Sequence, residues 1–176
     1  MVATFLQDDL AAELEKVFKD VRMKNPQGEP SPINIFKQEL PIPAPATPPE
    51  GDYDPELIEA DEGLSDLVNQ EDPYPYAIVR VSDGEITKID GDQQVRVLII
   101  FGVIDRRLEN QGHKGVLNLI QRVYERFSKN AILAAKYECV MPIDWTLQDE
   151  PSFPYFIGGM ELNFITHPIR REDPYA

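Results

Sequence analysis

The stretch that decides the fold is VRVLIIFGVI, at residues 95–104. All of it is apolar except Arg96 and Gly102, and it is far shorter than the roughly 20 apolar residues that a membrane-spanning helix needs. A run of this length between turn signals is typical of a strand. Because both of its faces are apolar, it predicts a central strand of a sheet, covered on both sides.

A second strand pattern precedes this stretch. Residues 76–82, YAIVRVS, are followed by Asp83-Gly84, which predicts a hairpin turn that leads towards the central strand. Residues 90–92, DGD, give another turn signal. The acids in these turns could suggest calcium, but the twelve-residue ligand pattern with its terminal Glu is missing, so hairpin turns are the better interpretation.

Further strand patterns lie towards both ends of the chain. Residues 137–147 and 155–166 predict two strands that form a second antiparallel hairpin. Inside the latter, Gly158-Gly159 predicts a bulge or a close approach of another part of the chain. A short strand is predicted at residues 33–37.

Two amphipathic helices complete the predicted fold. Thr4 and Gln7 have the spacing of a capping box at the start of the first helix, and Asn25-Pro26 predicts its end. The second helix is predicted at residues 110–129. Helices grouped on one face of a mostly antiparallel sheet of four to five strands give an α+β fold.

The formal charge of −14 is unevenly distributed. Residues 1–75 carry 17 acids and 5 bases, whereas residues 76–176 carry 14 acids and 12 bases. Much of the excess lies in a proline-rich acidic stretch at about 42–72, which is predicted to be an insertion, with a short helix at most, in one domain spanning residues 1–176. Because DNA affinity comes largely from Lys and Arg that neutralise phosphates, specific DNA binding is not expected.

Few residues offer catalytic chemistry. The histidines, His113 and His167, lie in no metal-ligand pattern with the single cysteine, Cys139, and no phosphate-binding or dinucleotide-binding glycine motif occurs. We therefore expect no catalytic site, no metal and no cofactor. Asp149 and Glu150 leave open a carboxylate pair for acid–base chemistry.

Aromatic residues beside two prolines are candidates for a protein contact. Tyr74 and Tyr76 flank one proline, and Phe153 and Tyr155 flank another. Such rings bury a large area at interfaces, but they could equally edge the core, and both interpretations stay open. With the predicted turn, the candidate interface comprises Tyr74, Tyr76, Asp83, Gly84, Phe153 and Tyr155.

Five stretches together resemble the tail terminator family (tail completion or minor tail proteins) of tailed bacteriophages. They are YPYAIVRVSDGE at 74–85, VRVLIIFGVID at 95–105, NQGH at 110–113, VLNLIQRV at 116–123 and PYFIGGM at 154–160. The first helix and first strand are similar too, so the likeness covers about 130 of the 176 residues. The acidic stretch departs from the family pattern.

The resemblance implies a structural protein rather than an enzyme. Members of the family cap the last ring of tail-tube subunits, end tube polymerisation and join the tail to the head connector, typically as homohexameric rings through which DNA passes. It implies a place in the neck of the virion after assembly in the bacterial cytoplasm, with no membrane partner. Alternatives are another neck protein (a stopper or head-completion subunit), a small carboxylate-based hydrolase, or a monomeric module that binds a peptide at a sheet edge.

Overall fold

The computed structural model describes residues 2–41, 73–87 and 91–166. The predicted insertion at 42–72, with its short helix, and residues 167–176 lie outside these ranges. In chain order the elements are α1 (Val2–Val17), β1 (Met23–Lys24), β2 (Pro30–Ser31), β3 (Asn34–Lys37), β4 (Tyr76–Ile86), β5 (Gln93–Ile104), α2 (His113–Lys129), β6 (Ile132–Leu133), β7 (Tyr137–Leu147) and β8 (Tyr155–Thr166).

Six strands form one sheet in the order β3-β4-β5-β8-β7-β6, and β1 and β2 form a separate small hairpin. The α+β class with two main helices is confirmed. The sheet is larger than predicted and mixed, because β3 pairs with β4 in parallel whereas every other pair is antiparallel. The predicted hairpins β4–β5 and β7–β8 are present, and β7 and β8 have the predicted bounds.

β5 lies at the centre of the sheet, between β4 and β8, as its apolar sequence predicts. The side chains on its covered face, each at most 5% exposed, are Val95, Val97, Ile99, Phe101 and Val103. The prediction that its second face is covered as well is wrong along most of the strand. Both helices contribute to the same core cluster on the first face, so Leu98 and Ile100 on the second face are only half-buried.

α1 differs from its predicted bounds at both ends. It already includes Val2, so Thr4 lies inside the helix and the predicted capping box is wrong. It ends at Val17 rather than near Pro26, because residues 18–20 form a turn and residues 23–24 form β1. The Phe18 ring packs edge-on against Phe101 at 6.2 Å between centroids, and the chain then enters the β1–β2 hairpin.

α2 begins at His113, three residues later than predicted. Asn110 has a φ of 53°, in the left-handed region, and therefore cannot belong to a right-handed helix. Of the helices in the described ranges, none has the length and apolar character required to cross a membrane.

An ion pair joins the two helices on the covered side of the sheet. The Arg126 guanidinium on α2 donates a hydrogen bond from Nε to a carboxylate oxygen of Glu13 on α1, and Lys16 donates another at 3.2 Å. Partial burial raises the pKa of Glu13, but the hydrogen bonds from Arg126 and Lys16 outweigh it, so the net pKa lies below the ordinary value.

The predicted turn at Asp83-Gly84 is wrong, since β4 continues through both residues to Ile86. A bulge between Val81 and Asp83 shifts the register, which brings Asp83 opposite Arg96 on β5. The second predicted turn falls partly on residues 88–90, which lie outside the described ranges.

At the end of β3, the side chain of Gln38 takes the place of a further strand residue. Its Oε1 accepts a hydrogen bond from the Val81 N–H at 3.1 Å, and its Nε2 donates to the Val81 carbonyl at 3.3 Å. Gln7 on α1 donates from Nε2 to the neighbouring Val79 carbonyl at 2.8 Å. The Gln38 amide satisfies the backbone of β4 at Val81, where β3 no longer pairs with it, whereas Gln7 adds a second donor to a carbonyl that already accepts from the Gln38 backbone N–H at 2.9 Å.

Candidate interaction surfaces

Three of the six candidate interface residues meet in one aromatic cluster at an end of the sheet. The Tyr74 ring lies 4.9 Å from the Tyr76 ring and 5.0 Å from the Tyr155 ring, measured between centroids. Tyr76 is only 4% exposed, so this ring offers little surface to a partner. Tyr74 and Tyr155 are partly buried.

Glycines on the neighbouring strands β5 and β8 leave space for side chains that pack closely on the sheet. A Cβ placed on Gly102 of β5 would lie 2.3 Å from the Tyr76 ring and 2.8 Å from the Tyr74 ring. A Cβ on Gly158 of β8 would lie 2.6 Å from Val116 on α2. Of the two predictions for the Gly158-Gly159 pair, the close approach is confirmed, whereas the bulge is wrong because the β5–β8 register is regular.

The other predicted pair, Asp83 and Gly84, lies far along β4 from the aromatic cluster. Asp83 forms an ion pair with Arg96 at 3.1 Å, and Arg96 also reaches Glu161 on β8 at 3.2 Å. All of these side chains are substantially exposed. Nearby, Ile86 is 65% exposed, so this end of the sheet offers both charge and apolar area to a partner.

Phe153, the sixth candidate, lies in the β7–β8 connection and is 50% exposed. It borders a groove of about 520 Å³ that is also lined by His113, Phe156, Asp149 and Glu150. The two carboxylates that the sequence left open for acid–base chemistry are exposed in this groove. The groove therefore combines three aromatic rings, those of Phe153, Tyr155 and Phe156, with a histidine and two solvated acids.

The loop that connects β5 to α2 borders a second recess, at the same end of the sheet as the groove beside Phe153. Asp105 is 8% exposed, and the Arg107 guanidinium donates to it from Nε at 3.0 Å and from Nη2 at 2.7 Å. These hydrogen bonds hold the pKa of Asp105 below its usual value, although burial opposes them. Gly112 closes the loop, since a Cβ there would lie 2.8 Å from Asp105.

The recess beside this loop is lined by cationic side chains. Lys24 from β1 lines a groove of about 260 Å³ together with Arg106 and Arg107, and Ile104 and Asp105 also belong to its lining. Arg22 lines its continuation towards α2. On a chain with a net charge of −14, this concentration of positive charge is a local exception.

The described residues offer little reactive chemistry elsewhere. Cys139 is buried, and desolvation raises the pKa of its thiol to about 11, so it is protonated at neutral pH and is a poor nucleophile. In the ranges 2–41, 73–87 and 91–166, no three His, Cys, Asp or Glu side chains are grouped as metal ligands.

Several exposed apolar residues were missed by sequence reasoning. Leu108 is 96% exposed in the β5–α2 connection, and no pattern in the sequence distinguishes it from a buried leucine. Trp145 lies opposite Met160 on the core side of the sheet, as strand alternation predicts, yet it is 58% exposed because β7 lies near the sheet edge. Alternation indicates the face of a residue but not how far the helices extend over it.

No protein-family model matches the chain, and neither does any curated protein. Its function is therefore inferred from its own residues and fold.

Proposed function

We propose that this chain is the subunit of a ring that caps a phage tail tube, ends its polymerisation and joins the tail to the head connector. The observation that carries the proposal is the packing of the stretches that resemble tail terminators. Tyr74 and Tyr76 pack on Gly102, Gly112 packs on Phe156, and Gly158 packs on Val116.

Together with the contact between the Tyr74 and Tyr155 rings, at 5.0 Å between centroids, these contacts join all five stretches into one unit. Each contact requires a glycine or an aromatic ring at a fixed position, so the residues that carry the resemblance depend on one another in space and not only in sequence order. Such mutual dependence supports treating the five stretches as one structural unit.

The surface features favour a structural role over catalysis. Exposed apolar side chains occur at both ends of the sheet, with Ile86 at one end and Leu108 and Phe153 at the other. A protein that joins two different assemblies needs two docking surfaces, and exposed aromatic and aliphatic side chains supply binding energy at such surfaces.

The first test is the mass of the purified protein in solution. Six copies of the 20.0 kDa chain give a particle of about 120 kDa, which mass photometry and negative-stain imaging detect as a six-fold ring. A chain that stays monomeric at high concentration contradicts the proposal.

The second test separates a terminator from another neck protein by its partners. Immobilised protein is expected to retain the tail tube protein of the same phage and, independently, the connector or stopper protein. Ile86→Ser should weaken retention of one of them about tenfold or more if this end of the sheet docks, whereas Phe5→Ser, at a comparably exposed ring on α1, serves as the control. Retention of the connector alone favours a stopper or head-completion role.

Passage of DNA through the ring adds an electrostatic expectation. With a charge of −14, the assembled protein should repel duplex DNA, so DNA slides through the lumen without binding. Electrophoresis at low salt should detect no complex with duplex DNA, and retarded DNA would argue against an acidic lumen.

A further inference from the structure

The connection between β5 and α2, at residues 105–112, separates two grooves of opposite charge. The cationic groove is lined by Lys24, Arg106 and Arg107. The acidic groove, on the other side of the connection, is lined by Asp149 and Glu150 but by no Lys or Arg. One chain thus carries two charge-complementary surfaces at the same end of its sheet.

Positive charge exceeds negative charge in the lining of the cationic groove, where Lys24, Arg106 and Arg107 meet one carboxylate, Asp105. Arg107 is paired with Asp105, but Lys24 and Arg106 make no ion pair with any residue in the ranges that the structure describes. The Asp105–Arg107 pair fixes the wall of the groove, since the Arg107 backbone N–H also donates to Asp105 at 3.0 Å. The groove is therefore preformed, and a partner need not spend binding energy on ordering it.

The acidic surface has the complementary character. Asp149 and Glu150 protrude in the β7–β8 connection, and neither forms an ion pair within the described part of the chain. Phe153 follows them in the same connection and is 50% exposed. The connection therefore presents two acids and an aromatic ring, a combination complementary to a groove lined by Lys24, Arg106 and Ile104.

We propose that the cationic groove of one copy binds the β7–β8 connection of a neighbouring copy, with Lys24 and Arg106 facing Asp149 and Glu150. This inference rests on the proposed ring. A ring requires a heterologous contact, in which two different patches of the same chain meet. Copies with a net charge of −14 repel one another, so their association needs a place where opposite charges meet.

Reversal of the charges on each side tests the contact. Lys24→Glu with Arg106→Glu, and separately Asp149→Lys with Glu150→Lys, should each raise the dissociation constant between copies about tenfold or more. The four substitutions combined in one chain restore opposite charges across the contact, so assembly should return towards the wild-type level. Arg122→Glu, at an exposed position of α2, is the matched control and should leave assembly unchanged.

Sedimentation velocity on the full chain supplies the measurement, and recovery in the combined variant excludes misfolding as the cause of the losses. If both charge-reversed variants still form rings of wild-type size, the proposed contact is wrong, but the proposed function is not contradicted. Loss of rings in the variant Lys24→Glu with Arg106→Glu alone would also contradict the proposed contact. The cationic groove would then bind other acids, such as those of residues 50–72. A wild-type chain that never associates would overturn both the contact and the ring.

Discussion

The two faces of β5 show how differently one apolar strand can be used. On the covered face, Val97, Ile99 and Phe101 have no exposed surface, because both helices pack there. On the opposite face, Leu98 and Ile100 are half-buried and Arg96 is exposed between two carboxylates. The apolar run therefore predicts that the strand is central, but it does not predict which face the helices cover.

The largest expected effect comes from truncation on the covered face. Ile99→Ala should reduce the free energy of unfolding by about 2–5 kcal/mol, because a fully buried side chain leaves a cavity that the helices cannot fill. Ile100→Ala removes the same atoms from the adjacent residue on the opposite face, and its cost should be less than half as large.

Urea unfolding of the two isoleucine variants, monitored by circular dichroism, gives the comparison directly. Equal losses of stability would mean that the second face of β5 is as well covered as the first. In that case the contrast between the two faces would be wrong.

The next largest loss of stability is expected at Gly102, which lies on the second face of β5, against the aromatic cluster. Gly102→Ala should cost about 1–3 kcal/mol, because its new methyl group would overlap the Tyr76 ring. Gly159→Ala is the matched control on the same face, since its methyl group would meet Leu98 at 3.5 Å, which is ordinary contact. Thermal unfolding should therefore show a lower midpoint for the first variant and little change for the second; a reversed order would exclude tight packing at Gly102.

A smaller effect is expected where the two helices meet over the covered face. Glu13→Gln should cost about 1–2 kcal/mol at neutral pH, since it weakens the charged hydrogen bond from Arg126. Because folding lowers the pKa of Glu13, its stabilisation is fully present above the ordinary value of 4.5 and is lost as the pH falls through the lowered pKa.

Unfolding free energies measured across the acid range check this dependence. The difference between wild type and Glu13→Gln should shrink as the pH falls. A difference that stays constant would show that the carboxylate charge does not contribute to it.

The smallest effect is expected for the ion pair on the uncovered face. Asp83→Asn should change stability by less than about 0.5 kcal/mol, because Asp83 and Arg96 are each roughly half-exposed and water screens their attraction. The double-mutant cycle with Arg96→Gln measures the coupling. A coupling as large as that between Glu13 and Arg126 would contradict the contrast between the faces.

Sequence reasoning located the elements whose patterns are long and regular. β7, β8 and the centre of β5 follow from alternation and apolar character, and α2 follows from its periodic apolar face. The end of α1 could not be predicted, because Phe18 continues the apolar pattern although it packs on Phe101 from a turn. The parallel pairing of β3 with β4 joins residues about 40 apart, and no local signal encodes it.

The candidate surfaces were predicted less completely than the fold. The aromatic residues were found because prolines flank them, but their exposure could not be inferred, and Tyr76 is buried. The cationic groove combines Lys24 with Arg106, which are distant in sequence and come together only through the β1–β2 hairpin. Single charges spread along an acidic chain give no signal of such a cluster.

The hydrogen bonds between Gln38 and Val81 also affect whether further strands can add to the sheet. A sheet edge with free N–H and C=O groups is a template on which further chains can add as strands, which is the first step towards fibrils. The Gln38 amide occupies the next such site on β4 after β3 ends, and it does so from a backbone with a φ of 66° that cannot continue as a strand. A strand that paired with β4 at Val81 would therefore have to displace the Gln38 amide.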